Sequence, residues 1–321
     1  MIRIRQAFKR LAADGKLFAI LSACGFSMKA IFVKLGYGAA PVGALDLLTL
    51  RMGIALPFFV WLLWIGRAER KQGLSAADGL RIFLIAMSGY YLSSLFDFKG
   101  LAHISTGLER MILFVYPTLV LLFQCLLSRK RPERNVLHAM AICYVGLGIA
   151  FFHDLGLAGH GRSVMVGSAW VFAAAVSYAL YYLGTGMLLK RMGATTLAGF
   201  AGAVSSVQVL LHFSVMGTPG TLLQLPASVW IYCAAMAIFS TVLPIYWLSL
   251  AIQRMGTAQA AAVGNLGPVL TILASWLVLG EPLSVAQLAG LGLVLFGVSR
   301  LKTRKPAIPA ASPAAEATRQ A

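Results

Sequence analysis

The sequence predicts an all-α membrane protein: ten transmembrane helices arranged as two inverted five-helix repeats, with N- and C-termini cytoplasmic. Three observations predict it. The composition is 59% hydrophobic and 12% charged, with a mean hydropathy of +0.82, beyond what a soluble core requires. Apolar runs of about 20 residues recur along the chain, and that length crosses roughly 30 Å of hydrocarbon at about 1.5 Å per residue. The chain also repeats itself at an offset of 151 residues: Thr106-Gly107-Leu108 through Tyr116-Pro117-Thr118 to Leu126-Leu127-Ser128 lines up without a gap on Thr257-Ala258-Gln259 through Gly267-Pro268-Val269 to Leu277-Val278-Leu279. The same offset carries Gly146 onto Gly297.

Ten apolar segments follow in order. The first repeat supplies Leu17–Tyr37, Val42–Ile65, Leu80–Phe98, Ile104–Leu127 and Val136–Phe152. The second supplies Val164–Leu189, Thr195–Met216, Ala227–Ala251, Thr257–Leu279 and Val285–Leu301. The fifth and tenth are short, and are expected upright at the edge of the bundle. Domain bounds follow: a basic cytoplasmic N-terminus at 1–16, the repeats at 17–152 and 164–301, an external connection at 153–163, and a disordered cytoplasmic tail at 302–321. The tail carries Pro306, Pro309 and Pro313 among alanines and has no periodicity.

A net charge of +17 would suggest nucleic acid only if it formed a basic face on a soluble domain. Here the cations sit between apolar runs, in alternate loops: Arg3, Arg5, Lys9, Arg10 and Lys16; Arg67, Arg70, Lys71 and Arg81; Arg129, Lys130, Arg131 and Arg134; Lys190 and Arg191; Arg254; and Arg300 onward. The intervening loops hold few cations, chiefly Lys34 and Lys99 at helix edges and Arg162, so the cation-rich loops are expected to be cytoplasmic. Five helices per repeat is an odd number, so the second repeat enters the membrane upside down. A cleaved lipoprotein signal at Leu21-Ser22-Ala23-Cys24 is not expected, because the apolar run continues to Phe32. The four cysteines lack paired spacing and read as small packing residues. No metal or cofactor is expected.

Two repeats, a proline in the fourth and ninth helices, and the Leu279-Gly280-Glu281-Pro282 ending of the ninth resemble the EamA-type members of the drug/metabolite transporter superfamily. The matching place in the first repeat departs from the pattern, reading Ser128-Arg129-Lys130-Arg131-Pro132. The resemblance implies a carrier with a central cavity between the repeats, moving small metabolites, commonly outward, across the inner (plasma) membrane.

Chemistry is sought among ionisable groups within the membrane, which are costly there and mark function. These are Lys29, Asp46, Arg51, Asp97, Glu109 and Arg110, all in the first repeat. Lys29 and Arg51 fall near the midplane, about 18 and 14 Å from their helix ends at 1.5 Å per residue. Without an anion at that level they would attract a carboxylate or phosphate of the solute. Arg51 could instead lock helices by reaching Asp46 or Glu109. Asp97, one turn from a helix end, is expected to reach water. Glu109 is the candidate coupling group for protons, since a carboxyl in a low-dielectric site can change charge as a cavity opens. Arg110 is expected to point about 100° away from it around the helix.

Pro117 and Pro268 each remove a backbone hydrogen bond and free a carbonyl, at Leu113 and Gly264, giving mid-membrane kinks. Beside the second, Asn265 offers donors and an acceptor to a cavity or to a neighbouring helix. Tyr178 and Tyr181 lie one turn apart and would face the cavity together. The second repeat's neutral polar groups at depth include Gln208, His212, the Ser240-Thr241 pair, Gln259 and Asn265. The expected function is secondary active export of a small polar metabolite, amino-acid-like or another organic anion or zwitterion, by alternating access. The solute, protons and the lipid bilayer are the partners, and a homodimer is left open. An intramembrane enzyme is the first alternative, but the chain has no His-Glu-x-x-His, Gly-x-Ser-x-Gly or facing aspartate pair. A channel is the second, and would want rings of like groups.

Overall fold

The structure is a computed structural model that describes residues 15–69, 73–129, 131, 134–157, 161–255, 260 and 263–300. Residues 1–14 of the expected N-terminal segment, the tail, Lys130, Pro132 and Gln259 lie outside the described residues. Among the described residues there is no strand, and eight helices are long and apolar enough to cross a membrane. They are α1 Lys16–Ala39, α2 Ala44–Gly66, α3 Ala76–Leu101, α4 Thr106–Ser128, α5 Arg134–Leu157, α6 Gly161–Met192, α7 Ala194–Met216 and α8 Ala227–Met255. Two shorter apolar helices follow, α9 Gly267–Leu279 and α10 Val285–Arg300.

The fifth helix corrects the sequence reading, for it is a full span of 24 residues. His153 and Asp154 end its apolar stretch but not its helix, because they bond Ser284 at 2.6 Å and Gln287 at 2.9 Å. Of the expected 153–163 connection, residues 153–157 therefore belong to α5 and 161–163 to α6. Cys143 and Cys233 are buried as packing residues, whereas Cys24 is exposed and Cys125 half-buried.

The duplication recurs in backbone detail. α4 breaks at Phe114 and Val115, and Asn265 and Leu266 form the equivalent turn before α9. In both, the proline stands in the first turn of the helix that follows, where its missing N–H costs nothing. α3 contains a π-helical turn at Ala86–Leu92 and α8 one at Ile238–Val242, which again matches at the 151-residue offset. Such turns widen the helix and are common at functional sites. α1 is broken once, at Met28, whose N–H turns back to the Gly25 carbonyl at 3.1 Å.

The repeats are interlocked. α1 packs on α8 and α6 on α3, while α2 packs on α7 and α5 on α10. Each of these pairs joins one repeat to the other, so neither repeat has a core of its own. Gly25 makes the first crossing possible, since any side chain there would meet Pro244 and the Phe239 carbonyl of α8. The first half of α4 meets α9 at the centre, flanked by α6 and α1 respectively.

Candidate functional site

Three helices of the first repeat deliver the ionisable groups to one place. Lys29 follows the break in α1, Asp97 and Ser94 lie one turn apart on α3 after its π-helical turn, and Glu109 and Arg110 occupy the first half of α4. Asp97 and Glu109 are fully buried. The ammonium of Lys29 stands 2.6 Å from Asp97 Oδ2. Arg110 Nε lies 3.6 Å from Glu109 Oε2, and its guanidinium reaches back to the Phe26 carbonyl at 3.5 Å. The Asp97 and Glu109 carboxyls also face one another.

This geometry overturns three expectations. Asp97 does not reach water, because α6 covers that part of α3 and Lys29 supplies its counter-charge. Lys29 is therefore not a cation without an anion at its level. Glu109 and Arg110 do pair: the long guanidinium side chain bends around the helix across the 100° that separates their Cα–Cβ bonds. At 3.6 Å the Arg110–Glu109 contact is longer than a hydrogen bond, so that pair is electrostatic only.

Arg51 is 6% exposed and reaches neither Asp46 nor Glu109. Asp46 instead accepts from the Gly43 N–H at 3.0 Å, at the start of its own helix. Arg51 Nε donates to Thr241 Oγ1 at 2.8 Å, and Nη1 reaches Ser94 Oγ at 3.3 Å. Thr241 in turn donates to the Met236 carbonyl at 2.9 Å, an acceptor presented by the π-helical turn of α8. The guanidinium lies over Phe98, 5.6 Å from the ring centroid. Among the described residues, no carboxylate lies within ion-pair distance of it.

Tyr178 and Tyr181 do face the same way, stacked at 5.6 Å with an 11° interplanar angle. They belong to a larger aromatic wall. Tyr116 meets Tyr178 at 5.0 Å and stacks on Tyr182 at 4.9 Å, and Tyr90 meets Tyr181 at 5.6 Å. The wall has a symmetric counterpart. At the 151-residue offset, Tyr178 and Tyr116 correspond to Ser27 and Gly267, and Ser27 Oγ bonds the Gly267 carbonyl at 3.0 Å. One crossing is aromatic and the other small and polar. Asn265 is half-buried at the turn before α9, close to the latter crossing. His212 pairs with Tyr91 at 2.8 Å and Gln208 with the Phe83 carbonyl at 3.3 Å.

The Gly-Glu-Pro ending of α9 has a physical role that its sequence did not reveal. Gly280 turns with φ +67°, a conformation that suits glycine. Glu281 is thereby aimed at the start of α4, where its carboxylate accepts from the Thr106 N–H at 3.1 Å, Thr106 Oγ1 at 2.8 Å and Ser275 Oγ at 2.6 Å. A carboxylate at a helix N-terminus complements the helix dipole and the free N–H groups there. Ser105 and Gln287 both bond Asp154 beside it, at 2.8 and 2.9 Å, which clasps α4, α5 and α10 together. On the opposite ends of the helices, Glu69 accepts from the Thr195 N–H at 3.0 Å and from Gln253 at 2.6 Å, and Arg191 holds Asp78 at 2.8 Å.

A duplicated bundle of apolar helices, broken at paired prolines around a buried charge cluster, defines a multi-pass membrane transporter. The model of the EamA-like transporter family matches residues 14–152 and again 165–301, and the chain belongs to that family. It is similar to the uncharacterized transporter YcbK of Bacillus subtilis (strain 168), 29% identical over 305 residues, covering 92% of this chain and 95% of that protein. An uncharacterized transporter of Archaeoglobus fulgidus is 24% identical over 269 residues, 83% of this chain and 91% of its own. A crystal structure 19% identical in sequence superposes with a TM-score of 0.59 over 90% of this chain and 96% of that one, a likeness of fold.

Proposed function

We propose that the chain is a secondary active transporter that exports a small amino-acid-like zwitterion or organic anion across the inner membrane by alternating access. In this reading it has ten spanning helices in two inverted repeats, with both termini in the cytoplasm. One observation carries the solute class: among the described residues Arg51 is a buried cation whose hydrogen bonds go to hydroxyls, Ser94 from one repeat and Thr241 from the other, with no carboxylate at ion-pair distance. A buried charge persists only with a partner or a use, and a guanidinium fork fits a carboxylate. The cluster as a whole agrees, with three cations (Lys29, Arg51, Arg110) and two carboxylates (Asp97, Glu109).

Glu109 is the coupling residue in this account. It is fully buried with its carboxyl against that of Asp97, and two carboxyls at one site are a place where a proton can be held between them. Tyr178, Tyr181 and Asn265 line the solute's path, and the turns before Pro117 and Pro268 are the flexing points. Because the helices interlock across the repeats, the moving units are mixed pairs such as α1 with α8 and α6 with α3, rather than whole repeats. The test is a metabolite-wide screen with liposomes containing the purified chain. Saturable, pH-gradient-driven movement of solutes that carry a carboxylate is expected; movement that is unsaturable, or confined to carboxylate-free solutes, would overturn the proposal.

A further inference from the structure

Building on that reading, we propose that Asp97 is the site for the solute's ammonium group and that Lys29 is its built-in occupant, which holds the site when the carrier is empty and leaves when a zwitterion arrives. Three observations carry this. The first is the spacing of opposite charges. Ser94 Oγ holds Arg51, and Asp97 stands three residues further along the same helix. Residues so spaced are neighbours on a helix face, about 5–6 Å apart at Cβ. A cationic site for a carboxylate thus lies one turn from an anionic site for an ammonium, the separation an α-amino acid or similarly short zwitterion can span.

The second is that an ammonium already fills the anionic half. Lys29 Nζ is 2.6 Å from Asp97 Oδ2, and the Lys29 side chain keeps 14% of its surface while Asp97 keeps 1%. Lys29 is the first residue after the break at Met28, so it hangs from a helix segment that can tilt without unwinding the rest of α1. Exchange of one ammonium for another leaves the charge of the site unchanged. A solute with only a carboxylate offers nothing to replace Lys29.

The third is an internal control. At the 151-residue offset, Lys29 corresponds to Leu180, which is exposed, and Asp97 to Leu248, which is half-buried, so the second repeat builds the same two helices with no charge pair at these positions. Apolar side chains are often as stable as a buried ion pair. Packing alone therefore does not require the pair. The Glu109 carboxyl also meets Asp97, but Glu109 has Arg110 as its cation, whereas the ammonium at Asp97 is that of Lys29.

The test is thermal unfolding of the purified full-length protein in detergent, titrated with an equimolar mixture of the twenty protein amino acids and, separately, with propionate. A ligand that binds only the folded state raises the midpoint in proportion to its affinity. The amino-acid mixture should raise the midpoint of the unmodified protein, and propionate much less. Lys29→Met should reach the same effect at roughly tenfold lower concentration, because the internal competitor is gone. Asp97→Asn combined with Lys29→Met should unfold near the original temperature without ligand and show no shift with it. Should Lys29→Met fail to insert, Lys29→Gln, which removes the competing charge while keeping a polar side chain, carries the same comparison. Equal half-effect concentrations with and without Lys29, or a shift retained in the double variant, would show the pair to be a structural lock while leaving the solute class intact. No shift with the mixture in any variant would overturn both the solute class and this inference.

Discussion

Replacing Arg51 by alanine separates a binding cation from a helix lock, and the structure sets the scale of each effect. On the stability side the change removes a hydrogen bond to Thr241 at 2.8 Å, a longer one to Ser94 at 3.3 Å, and the stacking over Phe98 at 5.6 Å. Hydrogen bonds to a charged group contribute about 1.5–3 kcal/mol each. Against that, the variant no longer buries a cation, a cost of several kcal/mol. Thr241 also keeps the Met236 carbonyl as its acceptor. The two sides largely offset, leaving a net loss of about 1–2 kcal/mol, too small to clear the protein from the membrane. On the binding side, losing one partner of a desolvated charge pair costs about 2–5 kcal/mol, roughly 30- to 5,000-fold in affinity. The assay pairs immunoblotting of membranes with uptake of a labelled amino-acid mixture into liposomes. Unchanged protein with uptake reduced by at least 30-fold is expected, and Arg51→Lys, which keeps the charge but not the fork, should fall between. Full uptake by Arg51→Ala would refute the reasoning. So would loss of the protein from the membrane that Arg51→Ala with Thr241→Val reverses, since that identifies a lock.

A phosphatase reporter, active only outside the cytoplasm, should be silent when fused after Arg131 and active after Gly161; the reverse pattern would overturn the orientation and the inverted repeats. Glu109→Gln should abolish pH-driven accumulation yet permit solute exchange down its own gradient, measured in the same liposomes at equal and unequal pH; retained accumulation would make Glu109 structural. Glu281→Ala strips a carboxylate from three donors, and should cost about 2–4 kcal/mol, read as a lower thermal midpoint in detergent, while an unchanged midpoint would dismiss the clasp. Pro117→Ala allows α4 to close its backbone ladder, and should raise that midpoint while slowing uptake; faster uptake would show that the break is not a flexing point.

The repeat, eight of the ten expected spans and the two proline breaks were legible because they follow from hydropathy, length and self-similarity, all readable along the chain. Lys29, Arg51, Glu109, Tyr178 and Tyr181 could be singled out because charge and aromatic spacing within a membrane segment are visible in one dimension. Their partners could not. The Lys29–Asp97 and Arg51–Thr241 contacts join residues 68 and 190 positions apart, and depth along a helix says nothing about which neighbour faces it. Asp97 was misplaced for that reason, since a carboxylate near a helix end reads as reaching water unless the helix covering it is known. The π-helical turns left no mark in the sequence beyond the offset itself. Glu281 was seen as part of a signature, but its target, the first turn of α4, lies 175 residues earlier. The Thr106-to-Ser128 duplication could have suggested that one repeat caps the other, because interlocked repeats exchange such contacts.

The central claim, a carrier that presents its buried charge cluster to one side of the membrane at a time, is tested most directly by counterflow. Liposomes containing the purified chain are preloaded with the unlabelled amino-acid mixture, diluted into a trace of the labelled one, and sampled over time. A carrier exchanges solute for solute, so the account predicts a transient overshoot of label above its equilibrium level in the unmodified protein and none in Arg51→Ala. A monotonic approach to equilibrium in the unmodified protein, with no overshoot at any preload, would contradict it.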